Sequence, residues 1–181
     1  MVLYFITGNE NKIKEARQIL GEVESLKINL QEIQSLDPRE VIEAKLLEAR
    51  KYHQGPFFCE DVSLDLDCLN GLPGTLVKWF LKSLHPEGIV KITTQYNDSK
   101  ATVKAFIGYY DQEKVHFFKG EVRGDIVSPR TASSFGFDPI FQPQGYNKTF
   151  ADMTLEEKNK ISHRRQALQK LQQHLENHGH Q

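Results

Sequence analysis

The sequence predicts an α/β fold whose functional site lies at the carboxyl end of a buried strand. The strand-forming residues 2–6 precede a turn and an apolar helical repeat that ends at Gly21, which makes a β-turn-α unit. Further along, the apolar run 57–59 ends abruptly in Glu60 and Asp61. In open α/β sheets, ligands gather beyond the carboxyl ends of the strands, so we expect these acids to face a cleft.

Length and composition set broad limits on the class of protein. We expect the 181 residues to form one domain, 1–181, with a core large enough to need no disulfide. Lys plus Arg number 23 and Asp plus Glu 24, and the formal net charge of −1 argues against a nucleic-acid partner. No apolar run approaches membrane length, and two cysteines without a C-x-x-C spacing suit a reducing compartment. We therefore expect a soluble cytoplasmic protein.

The first turn of the chain suggests a phosphate site. Asn9 is a suitable N-cap, and a helix that starts just after a strand offers backbone N–H groups to an anion. Lys12 falls in the first turn, where its charge opposes the helix dipole, which suggests a task such as holding phosphate. The stretch lacks a P-loop motif, and the chain lacks G-x-G-x-x-G. An ordinary βα turn with a surface lysine is the alternative.

The two adjacent acids suggest a cation site. Because side chains alternate along a strand, Glu60 and Asp61 point to opposite faces, and we favour Asp61 as the ligand. Two solvated acids that open a turn are the alternative.

The remaining pattern predicts the other elements. We expect a strand over 22–34 that leads to Glu32. We also expect a helix from Asp37-Pro38 that turns inward Val41, Ala44, Leu47 and either Leu46 or Ala49. A short helix begins at Lys78, with Trp79 as a core residue. A long hairpin covers 101–110 and 114–127, and one helix covers 154–177.

Five blocks in order resemble one family, the inosine triphosphate pyrophosphatases. The blocks are Thr7-Gly8-Asn9 with Lys12 and Glu15; Glu60-Asp61; Gly71-Leu72-Pro73-Gly74 with Lys78-Trp79-Phe80; Phe135-Gly136-Phe137-Asp138-Pro139; and Glu157-Lys158-Asn159 with Ser162-His163-Arg164. Together they span the chain from about Phe5 to Leu171.

The resemblance implies a fold, a reaction and a set of site residues. The implied fold is elongated and two-lobed around a long twisted mixed β-sheet, with the nucleotide in the cleft between the lobes, and the implied assembly is a homodimer. The implied reaction is hydrolysis of noncanonical purine triphosphates such as ITP, dITP and XTP to the monophosphate and pyrophosphate, with Mg²⁺ and with Mn²⁺ as a substitute. Transferred by position, the phosphate contacts fall on Thr7, Gly8, Asn9, Lys12, Lys45, Val62 and Lys78. The base contacts fall on Phe135, Gly136, Phe137, Asp138, Lys158, His163 and Arg164, and the metal ligands are Glu32 and Asp61.

Two positions depart from the family pattern. Val62 stands where the family usually has a small hydroxyl residue, so only its backbone is available to the substrate. Phe137 replaces the common Trp or Tyr, which reduces the stacking area. Because a base–aromatic stack contributes about 1–3 kcal/mol, we expect weaker affinity and not a loss of binding.

The chemistry of a triphosphate explains the residue types. Magnesium needs one or two carboxylates together with phosphate oxygens, and Asp61 is the expected catalytic residue, as metal ligand, general base or both. Taken alone, Lys158, His163 and Arg164 would also fit an exposed basic helix face. A pyrophosphatase for other modified nucleotides and a nucleotide-binding module without turnover are the alternative functions.

Overall fold

The computed structural model describes residues 2–130 and 136–178, and their fold is mixed α/β, as predicted. The described residues form seven strands and five helices. In chain order these are β1 (Leu3–Ile6), α1 (Glu10–Leu20), β2 (Val23–Leu26), α2 (Pro38–Ala49), β3 (Phe57–Leu66), β4 (Pro73–Gly74), α3 (Val77–Gln95), β5 (Lys100–Tyr110), β6 (Val115–Ile126), β7 (Phe141–Pro143), α4 (Leu155–Ile161) and α5 (His163–His178).

The strands join in one mixed sheet. Its order is β2-β1-β3-β5-β6-β7, and β4 pairs with β3 outside this path. β1 runs parallel to both β2 and β3, whereas β4 is antiparallel to β3 and β7 is antiparallel to β6. Parallel strands need a crossover connection between them. α1 lies in the connection from β1 to β2, and α2 lies in the connection from β2 to β3. The predicted β-turn-α unit and the predicted hairpin strands are therefore present.

The chain divides into two compact units, each with its own apolar core. The first unit comprises 1–61, 105–120 and 163–181, and its core includes Ile42, Leu46 and Phe57. The second unit comprises 62–104 and 121–162, and its core includes Leu64, Ile89 and Phe141. The prediction of one domain over 1–181 stays a prediction.

Local sequence signals define the ends of α1 and α2. Asn9 caps α1 by accepting hydrogen bonds from the N–H groups of Asn11 and Lys12, and Gly21 ends the helix with a φ of 79°. Asp37 caps α2, and Pro38 occupies its first turn. These caps agree with the sequence-based expectation.

Several predicted boundaries were wrong. β2 ends at Leu26, so the strand expected over 22–34 is much shorter. β3 continues beyond Glu60 and Asp61 to Leu66, so the two acids lie inside the strand and not at its carboxyl end. Arg164 compensates the buried charge of Glu60. The helix expected over 154–177 is interrupted at Ser162, whose ψ of 151° is extended. The helix expected to be short, α3, has 19 residues and contains a kink at His85.

Two side chains expected in the core are exposed. Leu47 is 61% exposed and Trp79 is 45% exposed. On α2, the buried positions are instead Val41, Ile42, Lys45, Leu46 and Ala49. The inward face of α2 therefore includes a lysine.

Two glycines permit close helix–sheet packing in the first unit. A Cβ at Gly108 would lie 2.2 Å from Ile42 Cγ2 on α2. A Cβ at Gly120 would lie 2.0 Å from the backbone oxygen of His163 on α5. Real Cβ atoms do not approach other atoms so closely, so each glycine sets the distance between its strand and the helix.

Candidate active site

The turn between β1 and α1 is held by its own side chains. Thr7 Oγ1 accepts a hydrogen bond from Asn9 N at 3.1 Å. Asn9 Oδ1 accepts from Asn11 N at 3.0 Å and from Lys12 N at 3.3 Å. A Cβ added at Gly8 would meet nothing within 4 Å, so this backbone faces open space. The turn is thus ordered and accessible at the start of the helix that carries Lys12.

Lys12 belongs to a buried network of four charged side chains. Its Nζ lies 3.1 Å from Glu60 Oε1, and the Glu60 side chain is fully buried. Arg164 donates to both oxygens of Glu60, from Nε at 2.6 Å and from Nη2 at 2.9 Å. Arg164 Nη1 also donates to Glu15 Oε2 at 2.7 Å. Two cations and two anions therefore compensate each other inside the first unit.

The network keeps Glu60 and Arg164 charged. Burial opposes the charged form of Glu60, but the positive charges of Arg164 and Lys12 hold its pKa well below the ordinary value. Burial likewise opposes the charge of Arg164, and the carboxylates of Glu60 and Glu15 raise its pKa above the ordinary value. A bidentate guanidinium–carboxylate pair has a fixed geometry, so the start of α5 is tied firmly to β3.

A second cluster places two carboxylates around one ammonium. Lys45 Nζ lies 2.9 Å from Asp61 Oδ1 and 3.1 Å from Glu32 Oε1. The Lys45 side chain is 8% exposed, whereas Asp61 is 19% and Glu32 is 40% exposed. Glu32 comes from the segment after β2, Lys45 from α2 and Asp61 from β3. The structure thus brings together the two predicted metal ligands.

Burial tunes the charges of this cluster. Burial lowers the affinity of Lys45 for its proton, but Asp61 and Glu32 outweigh this effect and raise the pKa of Lys45. Burial also raises the pKa of Asp61, against the positive charges of Lys45 and Lys12. Asp61 is therefore a stronger base than an ordinary aspartate, and it lies within electrostatic reach of both lysines.

The residues present fit a magnesium ion. No group of three or more His, Cys, Asp and Glu side chains in 2–130 and 136–178 is arranged to hold a metal by itself. Magnesium, however, needs only one or two carboxylates when phosphate oxygens and water complete its shell. Glu32 and Asp61 already converge on a single cation, the Lys45 ammonium, and their oxygens are ligands of the type that Mg²⁺ prefers.

The second unit contains Gly136, Phe137 and Asp138 of the Phe-Gly-Phe-Asp block and Lys158 of α4. Lys158 Nζ lies 2.6 Å from Asp138 Oδ2, and both side chains are nearly buried. The same ammonium lies 5.5 Å from the centre of the Phe150 ring. Phe137 is 6% exposed and belongs to the core of this unit, and Gly136 has a φ of 57°. The structure therefore joins Lys158 to Asp138 directly.

The other predicted site residues have varied surroundings. Val62 is partly buried on β3, and Lys78 is exposed at the start of α3 with its Nζ 6.0 Å from the Trp79 ring centre. His163 is 2% exposed at the first position of α5. Phe135 lies outside the described residues.

The interpretation of Lys158, His163 and Arg164 as an exposed basic face was wrong. Their exposures are 6%, 2% and 3%.

The expectation that Glu60 faces a cleft beside Asp61 was also wrong, because its side chain is fully buried against Arg164 and Lys12. No contact between Arg164 and Glu15 was expected. The alternation of side chains along β3 could have predicted a separate environment for Glu60, because it places Glu60 on the face opposite to Asp61.

The described residues contain no helix with the length and hydrophobicity that crossing a membrane requires.

Comparison with known proteins assigns the chain to a family. The model of the Ham1 family matches residues 3–174, which is nearly the whole chain. The chain therefore belongs to the Ham1 family. The family resemblance noted in the sequence is confirmed.

Solved structures with this fold cover almost the full chain. The Ham1 protein of Staphylococcus aureus is 26% identical, with a TM-score of 0.83 over 98% of this chain and 99% of that one. The HAM1 protein of Coxiella burnetii is 23% identical, with a TM-score of 0.80 over 98% and 99%. The nucleoside-triphosphatase / dITP/XTP pyrophosphatase of Mycobacterium abscessus is 24% identical, with a TM-score of 0.71 over 94% and 98%.

Proposed function

We propose that this protein hydrolyses noncanonical purine nucleoside triphosphates, such as ITP, dITP and XTP, to the monophosphate and pyrophosphate. Membership of the Ham1 family supports this reaction, and one protein of the same fold is a dITP/XTP pyrophosphatase. The observation that carries the proposal is the convergence of Glu32 and Asp61 on the buried Lys45 ammonium. Carboxylates for a metal and cations for phosphate are what a magnesium triphosphate requires.

The cationic side chains neutralise the triphosphate. Lys12 and Lys45 hold phosphate oxygens, which reduces the negative charge that repels an incoming water molecule. The accessible backbone of Thr7, Gly8 and Asn9 lies at the start of α1, where the dipole favours an anion. Val62 contributes its backbone, and Lys78 adds a further phosphate contact.

Asp61 is the catalytic residue of this proposal. Its carboxylate accepts a proton from the attacking water as the water oxygen bonds to the α-phosphorus and the bond to the bridging oxygen of pyrophosphate breaks. The pKa of Asp61, raised by burial, suits this role. Glu32 and Asp61 would hold Mg²⁺, with Mn²⁺ as a substitute, and the bound ion would supply Lewis-acid stabilisation of the phosphate charge.

Base recognition remains assigned to the residues that the resemblance implies. They are Phe135, Gly136, Phe137, Asp138, Lys158, His163 and Arg164. Donors that meet the 6-oxo group of hypoxanthine or xanthine would face an amino group in adenine and would stay unpaired, which disfavours ATP by about 1–3 kcal/mol per donor. Arg164 already donates to Glu15 and Glu60, so its contribution includes holding the start of α5.

We also propose a homodimer in the cytoplasm. The family resemblance supports the dimer, and the two free cysteines, Cys59 and Cys68, suit a reducing compartment.

The deciding experiment measures pyrophosphate release from ITP, dITP, XTP, ATP and GTP, each with Mg²⁺ and with excess chelator. We expect the deaminated purines to be hydrolysed much faster than ATP or GTP, and only with the metal. Asp61→Asn should lower the rate about a thousandfold or more. Asp65→Asn is the matched control, because Asp65 also lies on β3 and pairs with its own lysine, Lys104.

Other outcomes of this experiment would favour one of the alternative functions or refute the proposed mechanism. Preference for a methylated pyrimidine triphosphate in the same panel would favour the alternative modified-nucleotide pyrophosphatase. Tight binding of ITP without turnover would favour a nucleotide-binding module. Full activity in chelator, or in Asp61→Asn, would refute the proposed mechanism.

A further inference from the structure

Lys12 occupies a position that its own helix disfavours. It lies in the first turn of α1, where a positive charge opposes the helix dipole. A lysine side chain has many rotamers, and an ammonium repelled by its helix would normally extend into water. Here the ammonium instead lies 3.1 Å from Glu60 Oε1, a carboxylate with no solvent exposure. An acid on a neighbouring strand therefore determines where Lys12 points.

Glu60 itself cannot move to follow Lys12. Both of its oxygens accept hydrogen bonds from Arg164, at 2.6 and 2.9 Å. Arg164 is in turn bonded to Glu15 at 2.7 Å, and Glu15 lies one helical turn after Lys12 on α1. The Glu60 carboxylate is thus held at both oxygens by Arg164, and its ion pair with Lys12 restricts the position of the lysine ammonium.

Lys12 is the member of the network that reaches solvent. Its side chain is 20% exposed, whereas the side chains of Glu60, Glu15 and Arg164 are 0%, 3% and 3% exposed. An ammonium has three donors, and a single carboxylate contact at 3.1 Å leaves donors for phosphate oxygens. Glu60 is too deeply buried to contact a nucleotide.

We propose that Glu60 is a positioning residue for the phosphate site, which acts through Lys12 and contacts no substrate atom. The inference rests on the proposed function for the identity of the substrate. A lysine that is ordered before binding loses less conformational freedom when the polyphosphate arrives. Glu15 shares the network through its ion pair with Arg164, so it provides a comparison within the same cluster.

The experiment measures the binding of inorganic pyrophosphate, with Mg²⁺, by calorimetry in wild type, Glu60→Gln, Lys12→Met, the double variant and Glu15→Gln. We expect Glu60→Gln and Lys12→Met each to weaken binding about tenfold or more. The double variant should bind no more weakly than Lys12→Met, because both substitutions remove the same interaction. Glu15→Gln should bind pyrophosphate within about twofold of wild type, although it loses a buried ion pair.

Several results would overturn the inference. One is an additive loss in the double variant, since Glu60 would then act independently of Lys12. Another is an equal loss of pyrophosphate affinity in Glu60→Gln and Glu15→Gln that parallels the decrease in their melting temperatures. That result would indicate that Glu60 has a structural role only. Wild-type protein that does not bind pyrophosphate would also overturn it.

A second measurement needs no Glu60 variant. In wild type, the ¹⁵N signal of the Lys12 ammonium, assigned by its absence in Lys12→Met, should show protons that exchange slowly with water and should shift when pyrophosphate is added. Exchange as fast as that of exposed lysines would refute an ordered Lys12. Both measurements are independent of turnover, so a failure to hydrolyse ITP would reject the proposed function without deciding the role of Glu60.

Discussion

Glu60 and Asp61 are neighbours in sequence but have opposite environments. Side chains alternate across a strand, so Glu60 pairs with Arg164 and Lys12, whereas Asp61 pairs with Lys45. Cations outweigh burial at Glu60 and lower its pKa, whereas burial prevails at Asp61 and raises its pKa. Glu60 is thus kept ionised at neutral pH, and Asp61 is available for a metal or a proton.

The depressed pKa of Glu60 predicts acid sensitivity. Its unfolded-state pKa is about 4.3, so the stability it contributes is fully present above that pH and is lost as the pH falls toward the folded value. We expect the wild-type free energy of unfolding to decrease below about pH 4. Glu60→Gln should be less stable at pH 7 and should show a smaller decrease in acid. Urea unfolding at several pH values measures both, and parallel curves for the two proteins would contradict the prediction.

The ion pair between Lys158 and Asp138 should be important for stability. Because both side chains are nearly buried, Lys158→Met removes the ammonium that faces a desolvated carboxylate, at a cost of about 3–5 kcal/mol. Chemical denaturation measures this loss. Lys160→Met is the matched control on the same helix, since Lys160 pairs with Glu156 and both side chains are largely exposed. Similar stabilities for the two variants would refute the prediction.

At the scale of elements, α5 illustrates what helical periodicity misses. Its buried positions include His163, Arg164, Ala167, Leu168 and Leu171, so the apolar face begins with two residues that carry polar groups. Periodicity alone assigns such residues to solvent. Arg164 is buried because it forms ion pairs with both Glu60 and Glu15, which are distant from it in sequence.

The close approach of β6 to α5 predicts that Gly120→Ala is strongly destabilising. The new Cβ would lie 2.0 Å from the backbone oxygen of His163, and a backbone atom cannot rotate away. We expect a loss of at least about 1–3 kcal/mol of stability, together with lower activity because α5 carries Arg164. Gly8→Ala is the control for stability, since its Cβ would meet nothing within 4 Å. Thermal unfolding compares them, and equal melting temperatures would contradict the expectation.

At the scale of the molecule, the proposed dimer predicts a doubled mass. Light scattering should give about twice 20.8 kDa at micromolar concentration. Leu72, Trp79 and Leu84 are 41%, 45% and 41% exposed, and association that buries such apolar surface is favourable. Trp79→Glu should therefore shift the protein toward monomer.

Tyr146→Glu is the control for this shift, because Tyr146 is 47% exposed elsewhere in the chain. A monomer at all concentrations would reject the proposed dimer. A dimer that survives Trp79→Glu would place its interface on another surface.

The caps, the first βα unit, the hairpin strands and the family were predictable from the sequence. Each depends on neighbouring residues or on ordered blocks, as with Asn9 before α1 and Pro38 at the start of α2. The family resemblance implied Glu32 and Asp61 as metal ligands. Both lie beside the Lys45 ammonium, and their roles as metal ligands remain proposals. Local patterns report local structure well because the interactions that stabilise it are close in sequence.

Tertiary structure alone decided which charged residues are buried and with which partners. Arg164 and Glu60 are 104 residues apart, and Lys45 and Asp61 are 16 apart. A charge is tolerated inside a protein only when an opposite charge or a hydrogen-bonding group lies next to it. No local pattern in the sequence specifies which distant residue provides that partner.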